Sequence, residues 1–124
     1  MALIEQTTAE FRLDWERLGP ATRMTVRQAL DRGYAALRDN RRTFFARAQR
    51  PLPIQLKSGF TSSLYSLRAG RDIRIIVAVD DDPVFAQTLV TLFRVVPPDE
   101  LEHTFRSVAH VLYRNQIQRT NGAR

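Results

Sequence analysis

The sequence predicts an α+β fold: an N-terminal helical hairpin packed on a small antiparallel β-sheet meander, closed by a C-terminal helix. Three observations point there. Apolar residues recur at helical spacing early in the chain, as Phe11, Trp15 and Leu18 and then as Val26, Leu30, Gly33 and Leu37. From Leu64 to Val96 the pattern changes to short β-branched runs broken by turn residues. Beyond Pro97-Pro98 the helical period returns in Leu101, Phe105, Val108 and Leu112.

Ile4 to Thr7 reads as a short first strand. Thr7-Thr8-Ala9-Glu10 has capping-box spacing, with Thr7 placed to accept a free amide and Glu10 to reach back. Gly19-Pro20 ends the first helix, since glycine permits a left-handed cap and proline suits the first position of the next helix. The second helix runs from Pro20 to Arg38, with Arg23, Arg27 and Arg38 looking outward. Two helices joined so tightly form a hairpin. Asp39-Asn40 is a stop, and Arg41 to Pro53 reads as a basic connector carrying Phe44 and Phe45.

The strands are Leu64 to Gly70, Arg71 to Val79, and Val84 to Val96, the last two joined by the turn Asp80-Asp81-Asp82-Pro83, whose acids can cap amides. Ile73–Val79 and Leu89–Val96 are nearly continuous apolar runs. A sheet with one wet face would alternate, so its centre is expected to be covered on both sides. The second cover is the last helix, from Asp99 to about Gln116, with Asp99 and Glu100 in the first turn where the helix dipole favours them. Residues 119–124 read as a frayed polar tail, and 1–124 as one domain.

A chain of 124 residues with 44% hydrophobic content can bury a core of its own. There is no cysteine, which excludes disulfides, thiol nucleophiles and thiolate metal sites. The first residues lack the charged start and apolar run of a signal peptide, and no window approaches the roughly 20 apolar residues of a membrane helix. A cytoplasmic protein without membrane contact is expected. The net charge is +6, and 18 of the 19 cationic residues are arginine. The planar guanidinium suits phosphate and carboxylate, so the balance points to an anionic partner or to a solvated basic face.

The order of elements, with the passage Leu67-Arg68-Ala69-Gly70-Arg71-Asp72-Ile73-Arg74-Ile75-Ile76, resembles the RelE/ParE superfamily of type II toxins. Leu92-Phe93-Arg94-Val95 is similar to the last strand of that family, and Leu112-Tyr113-Arg114 to its closing segment. The resemblance covers about Gln55 to Val96. It implies the toxin of a toxin–antitoxin pair with an acidic antitoxin as partner. In its enzymatic form the toxin would be an mRNA endoribonuclease acting on RNA, including ribosome-bound mRNA. Arg74 and Arg94 would then clamp the scissile phosphate, Arg68 would assist, and Tyr113 or His103 would transfer the proton. No cofactor and no metal is implied. The strand that carries lysines in active members reads Leu64-Tyr65-Ser66 here, and a whole helix separates Arg94 from Tyr113. The alternative is a toxin-like binding module without chemistry, inhibiting DNA gyrase or holding an antitoxin.

Beside that resemblance, Arg41, Arg42, Arg47 and Arg50 flank Phe44 and Phe45 in a pattern that suits a single nucleic-acid strand or an acidic peptide. Arg71 and Lys57 are further candidates for RNA contact. His103, Arg106, His110 and Arg114 share the polar side of the last helix. The histidines are seven residues apart and so do not form the usual i, i+4 metal pair.

Overall fold

Ile75, Ile76, Val77, Ala78 and Val79 are all buried, and a strand dry on both faces must lie at the centre of a sheet covered twice. The computed structural model, which describes residues 2–59 and 61–114, has that arrangement. Its elements are β1 (Ala2–Thr7), α1 (Ala9–Arg17), α2 (Pro20–Asp39), α3 (Arg41–Arg47), β2 (Leu64–Ala69), β3 (Ile73–Asp82), β4 (Gln87–Val96) and α4 (Leu101–Leu112). Single 3-10 turns occupy Lys57–Gly59 and Pro98–Glu100. The fold is α+β, with four helices and one four-stranded sheet among the described residues.

The strand order is β1-β4-β3-β2. β2, β3 and β4 form the antiparallel meander. β1 adds a fourth strand parallel to β4, with Ala2 opposite Gln87 and Thr7 opposite Leu92, so the sheet is mixed and the chain enters through a strand ahead of its helices. Ile75, Val77, Val79, Val90, Leu92 and Val95 meet Phe11, Val26, Leu30, Leu37 and Phe44 on one side of the sheet. Leu64, Ile76, Ala78 and Val96 meet Phe105, Ala109 and Tyr113 on the other. The last helix is the second cover, as expected from the strand pattern.

Several boundaries differ from the sequence reading, each for a local reason. The cap of α1 is Thr8 and not Thr7: the Thr8 hydroxyl accepts from the Phe11 amide. Thr7 is still paired in the sheet, and its carbonyl and hydroxyl accept from Arg12. Gly19 caps α2 with φ −73°, so its left-handed freedom is unused, while Pro20 takes the first helical position. The connector after Asn40 is in part a helix. Asn40 both ends α2 and, by accepting from the Thr43 amide, starts α3.

The Asp80–Asp82 segment belongs to β3, and the turn is Pro83–Ala86, so the third strand of the meander starts at Gln87 and not at Val84. One acid does the capping: Asp82 Oδ1 accepts from the Val84 and Phe85 amides. In α4, Phe105 is fully buried and Leu101 and Val108 half-buried, but Leu112 is 39% exposed; Thr104, Ala109 and Tyr113 complete the packed face. Trp15 is only half-buried, with Arg23 over its ring. Gln116 and the tail 119–124 lie outside the described residues.

One cluster that the sequence did not announce ties β1 to α2. The Glu5 carboxylate accepts from both Arg27 guanidinium nitrogens and from the Tyr34 hydroxyl, and Arg27 also stacks over Tyr34. Burial pushes the Glu5 carboxyl up, but the hydrogen bonds from Arg27 and Tyr34 outweigh it and hold it below the ordinary glutamate value. A carboxyl held low in the folded state adds stability above its unfolded pKa, and that stability fades as pH falls through the folded value. Glu5→Gln is therefore expected to cost about 1 kcal/mol at pH 7, a figure kept small because the pair is solvent-exposed. It is also expected to flatten the acid limb of stability below about pH 4. Urea titrations at several pH values check both, and a parallel shift of the whole profile would contradict the pH part.

Candidate functional site: an arginine-rimmed groove

β2 is an edge strand, and α2 and α3 stand beside it. Between them lies a groove of about 410 Å³ whose floor is apolar, from Ala29, Ala36, Phe44 and Leu67, and whose rim carries Arg32, Arg47 and Arg68. Gly33 opens the floor: a Cβ there would stand 3.4 Å from the Phe44 ring and 3.8 Å from Leu67. Glycine inside a helix costs roughly 1 kcal/mol against alanine, so this position keeps room at a local expense. Among the described residues no acid lies within ion-pair distance of Arg32, Arg47 or Arg68.

Past Arg68, the last groove residue on β2, the strand leads into the β2–β3 turn. Arg68 and Arg74 are direct cross-strand partners, a like-charge placement that disfavours the fold unless the charges have other company. Each guanidinium turns to the carbonyls of the turn: Arg68 Nε donates to Gly70, and Arg74 Nη1 to Arg71 and Ile73. Gly70 has φ +69°, and its would-be Cβ lies 3.2 Å from Thr25 Cγ2 on α2, so only glycine suits this turn. Arg71 is exposed at its tip.

The backbone at the rim is also open. Ser66 exchanges both of its main-chain hydrogen bonds with Gln49. By the alternation of an antiparallel strand, the Arg68 N–H and C=O face the same outward side. Among the described residues nothing pairs them.

The other singled-out residues lie elsewhere. Arg94 is held by Asp14 of α1, with Nε to Oδ2 at 2.7 Å and Nη2 to Oδ1 at 3.2 Å, while the Val95 amide also donates to Asp14 Oδ2. Donating to the Asp14 carboxylate raises the Arg94 pKa, against a smaller effect of burial, so this cation is fully committed to a charge. Tyr113 is buried, and its hydroxyl accepts from Ser62 Oγ and the Ser63 amide. At about 3.3 Å per strand residue, the five steps from Ser63 to Arg68 put that hydroxyl roughly 16 Å from the arginine pair. His103 sits two residues from fully buried Phe105, about 200° around the helix, and points into solvent away from the sheet.

Of the residues expected to contact RNA, Arg47 lines the groove and Arg71 marks the adjoining turn. Arg41 pairs with Asp81 and stacks on Phe45. Arg42 is exposed outside the groove lining, and Lys57 is exposed in its own 3-10 turn. Arg50 lies over Tyr65 and donates to its hydroxyl. Arg32 and Asp14 were missed by sequence reasoning. The available signals were the glycine next to Arg32 within a helical pattern, and an acid placed three residues after Phe11 on an otherwise apolar stripe. Removing the Tyr113 hydroxyl by Tyr113→Phe leaves the Ser63 amide and the Ser62 hydroxyl proton without their acceptor. The expected loss is about 1–2 kcal/mol of stability, read by urea denaturation; an unchanged midpoint would mean these bonds contribute nothing.

The fold and groove together define a class: a small α+β domain with a cationic cleft along a sheet edge, its rim arginines without an acid partner among the described residues. Compared with protein-family models, curated proteins and solved structures, the chain matches none of them. No helix is long and apolar enough to cross a membrane among the described residues.

Proposed function

We propose that this protein is a toxin-like binding module of a cytoplasmic toxin–antitoxin pair, and that its groove holds an extended acidic segment of a partner protein. The reading keeps the likeness of Leu67–Ile76 to RelE/ParE-type toxins and the hairpin-on-sheet arrangement that the likeness implies. The observation that carries it is the combination of an apolar floor with three rim arginines that meet no acid among the described residues. Naked phosphates would use the rim alone, whereas a peptide with alternating acidic and apolar side chains would also cover the apolar lining at Ala36 and Ala46. The outward N–H and C=O of Arg68 offer such a segment main-chain hydrogen bonds, in the manner of a strand added to a sheet edge.

An mRNA endoribonuclease needs a proton carrier beside its phosphate clamp. A guanidinium is always protonated and cannot serve as that carrier. Around Arg68 and Arg74 the nearest named candidates are the sealed hydroxyl of Tyr113 and the outward-facing His103, and Arg94 is already bound by Asp14. The balance favours binding over cleavage.

Induced expression with growth, transcript and binding readouts tests this. Growth arrest with intact transcripts, lost in the pair Arg47→Glu and Arg68→Glu, is the expected result. Cleaved transcripts by primer extension, abolished by Arg74→Ala, would replace the binding reading with the nuclease. Arrest that survives both groove charge reversals would overturn the groove as the working surface, and absence of arrest would overturn the toxin reading.

A further inference from the structure

The outer edge of β2 already carries a piece of added strand, but only at one rung. Gln49 and Ser66 exchange both main-chain hydrogen bonds, at 2.9 and 2.7 Å, as an isolated antiparallel bridge. In that register Arg47 would stand opposite Arg68, and Pro51 opposite Leu64. Neither extends the pairing. Arg47 is the last residue of α3 and has the same charge as Arg68, and Pro51 has no N–H to give. The Leu64 amide donates to the Ser62 hydroxyl, and the Arg68 N–H and C=O stay open among the described residues. A bridge of two bonds with no rung on either side opens locally at little cost.

The place that Gln49 holds is the one an added strand needs. Arg68 alone offers an incoming segment one pair of main-chain bonds, whereas Arg68 and Ser66 together offer two pairs within three residues. Ser66 also carries a side-chain oxygen that is buried without a hydrogen-bond partner, a group that costs stability as it stands. In an antiparallel pairing the residues opposite Arg68 and Ser66 share a face with them, and the residue between shares the face of Leu67, which lines the groove. Acids opposite Arg68 and Ser66 would thus meet a guanidinium and a free hydroxyl donor. We propose that an extended acidic segment pairs with β2 at Arg68 and Ser66 and displaces Gln49, which in the free protein occupies the place of that strand. This rests on the reading of the groove as a site for such a segment. Gln49, itself part of the groove lining, is then a self-made plug, and its release is a step in every binding event.

Amide hydrogen exchange of the full chain by NMR, with a short synthetic peptide of alternating valine and glutamate as probe, tests the displacement. On adding peptide, the Gln49 amide is expected to lose protection and the Arg68 amide to gain it, while the Leu67 amide, which faces β3, stays as it was. Two variants read the same step as affinity. Gln49→Pro removes one of the two bridge bonds and should bind the peptide about fivefold more tightly; Ala48 before it is already extended, as a residue preceding proline requires. The chain has no cysteine, so Gln49→Cys with Ser66→Cys gives a single defined lock. The Cα atoms of such a hydrogen-bonded pair lie about 5.5 Å apart, within the span of a disulfide. Oxidised, the lock should bind about tenfold more weakly than the same protein reduced. Peptide binding that leaves Gln49 protected would overturn the displacement while the groove reading stands, and so would equal affinity of the oxidised and reduced lock. Should circular dichroism show the cysteine pair unfolded, exchange and Gln49→Pro decide, and a proline variant that binds no more tightly would overturn it too. If the peptide does not bind, or binds the pair Arg47→Glu and Arg68→Glu as tightly as wild type, the groove reading itself falls and this proposal with it.

Discussion

Phe105→Ala is expected to cost about 4 kcal/mol, the middle of the range for deleting a buried aromatic ring. Phe105 is 0% exposed and lies between α4 and the Leu64, Ile76 and Val96 face of the sheet. Alanine would leave a cavity that the neighbours can only partly close, because Ile76 and Ala78 are fixed by strand pairing on both sides. For a domain of this size, whose total stability is on the order of 6–18 kcal/mol, the loss is a large share of the whole. It should lower the melting temperature by about 15 °C. His103→Ala, on the opposite side of the same helix, should change stability by less than about 0.5 kcal/mol. A calorimetric comparison of the two variants checks the orientation of α4 directly. Equal effects would mean that the helix does not seal the second face as described.

Asp14→Ala is the second large effect. Asp14 is 8% exposed and is the acceptor for Arg94 Nε, Arg94 Nη2 and the Val95 amide. Breaking one side of a buried ion pair costs several kcal/mol because the partner is left without compensation. Arg94 keeps 32% of its side chain exposed and can recover some hydration, which lowers the expected loss to about 3 kcal/mol. The Val95 amide has no such recourse, and its share, about 1–2 kcal/mol, is what Asp14→Asn should partly restore through the remaining carbonyl oxygen. Urea unfolding of Asp14→Ala, Asp14→Asn and Arg94→Met separates the contributions. If Arg94→Met destabilises as much as Asp14→Ala, the main-chain bond is negligible. If neither variant lowers the midpoint by more than about 0.5 kcal/mol, the ion pair is a surface ornament.

The double cover of the sheet was legible because Ile73–Val79 and Leu89–Val96 lack the alternation of a one-sided strand. A second face that is mostly apolar needs an apolar neighbour, and the last helix was the remaining candidate. The ends of elements were less legible. Thr7 and Thr8 have the same side-chain chemistry, and only the pairing of β1 with β4, a long-range event, decides which of them is free to cap. In sequence Arg41–Arg47 reads as a connector, because two phenylalanines and four nearby arginines give no clear helical stripe in seven residues. Its helicity comes from the Asn40 cap and from Phe44 entering the core.

The candidate site was legible only in its composition. Arg47, Arg68 and Arg71 stood out as cations, but charge along a chain carries no information on which guanidinium meets an acid. In the sequence Arg94 is as available as Arg68; in the fold Asp14, 80 positions earlier, takes it. Arg32 was invisible for the converse reason: it sits on the solvent side of a helix, and what makes it a rim residue is the edge of a strand that arrives 32 residues later. Tyr113 was recognised as a notable side chain, yet its hydroxyl is spent on tying Ser62 and Ser63 to the end of α4.

The parallel pairing of β1 has a kinetic consequence. The hydroxyl of Thr8 meets the carbonyl of Leu92 across 84 positions, and every rung of that ladder has a comparable span. Loop closure of this length is slow compared with forming a hairpin. During folding, β1 must wait, unpaired at its edge, until β4, about 85 positions further along the chain, is in place. Docking of this segment is therefore expected to be the last event in maturation, and the meander with its covering helices should already be assembled when it arrives.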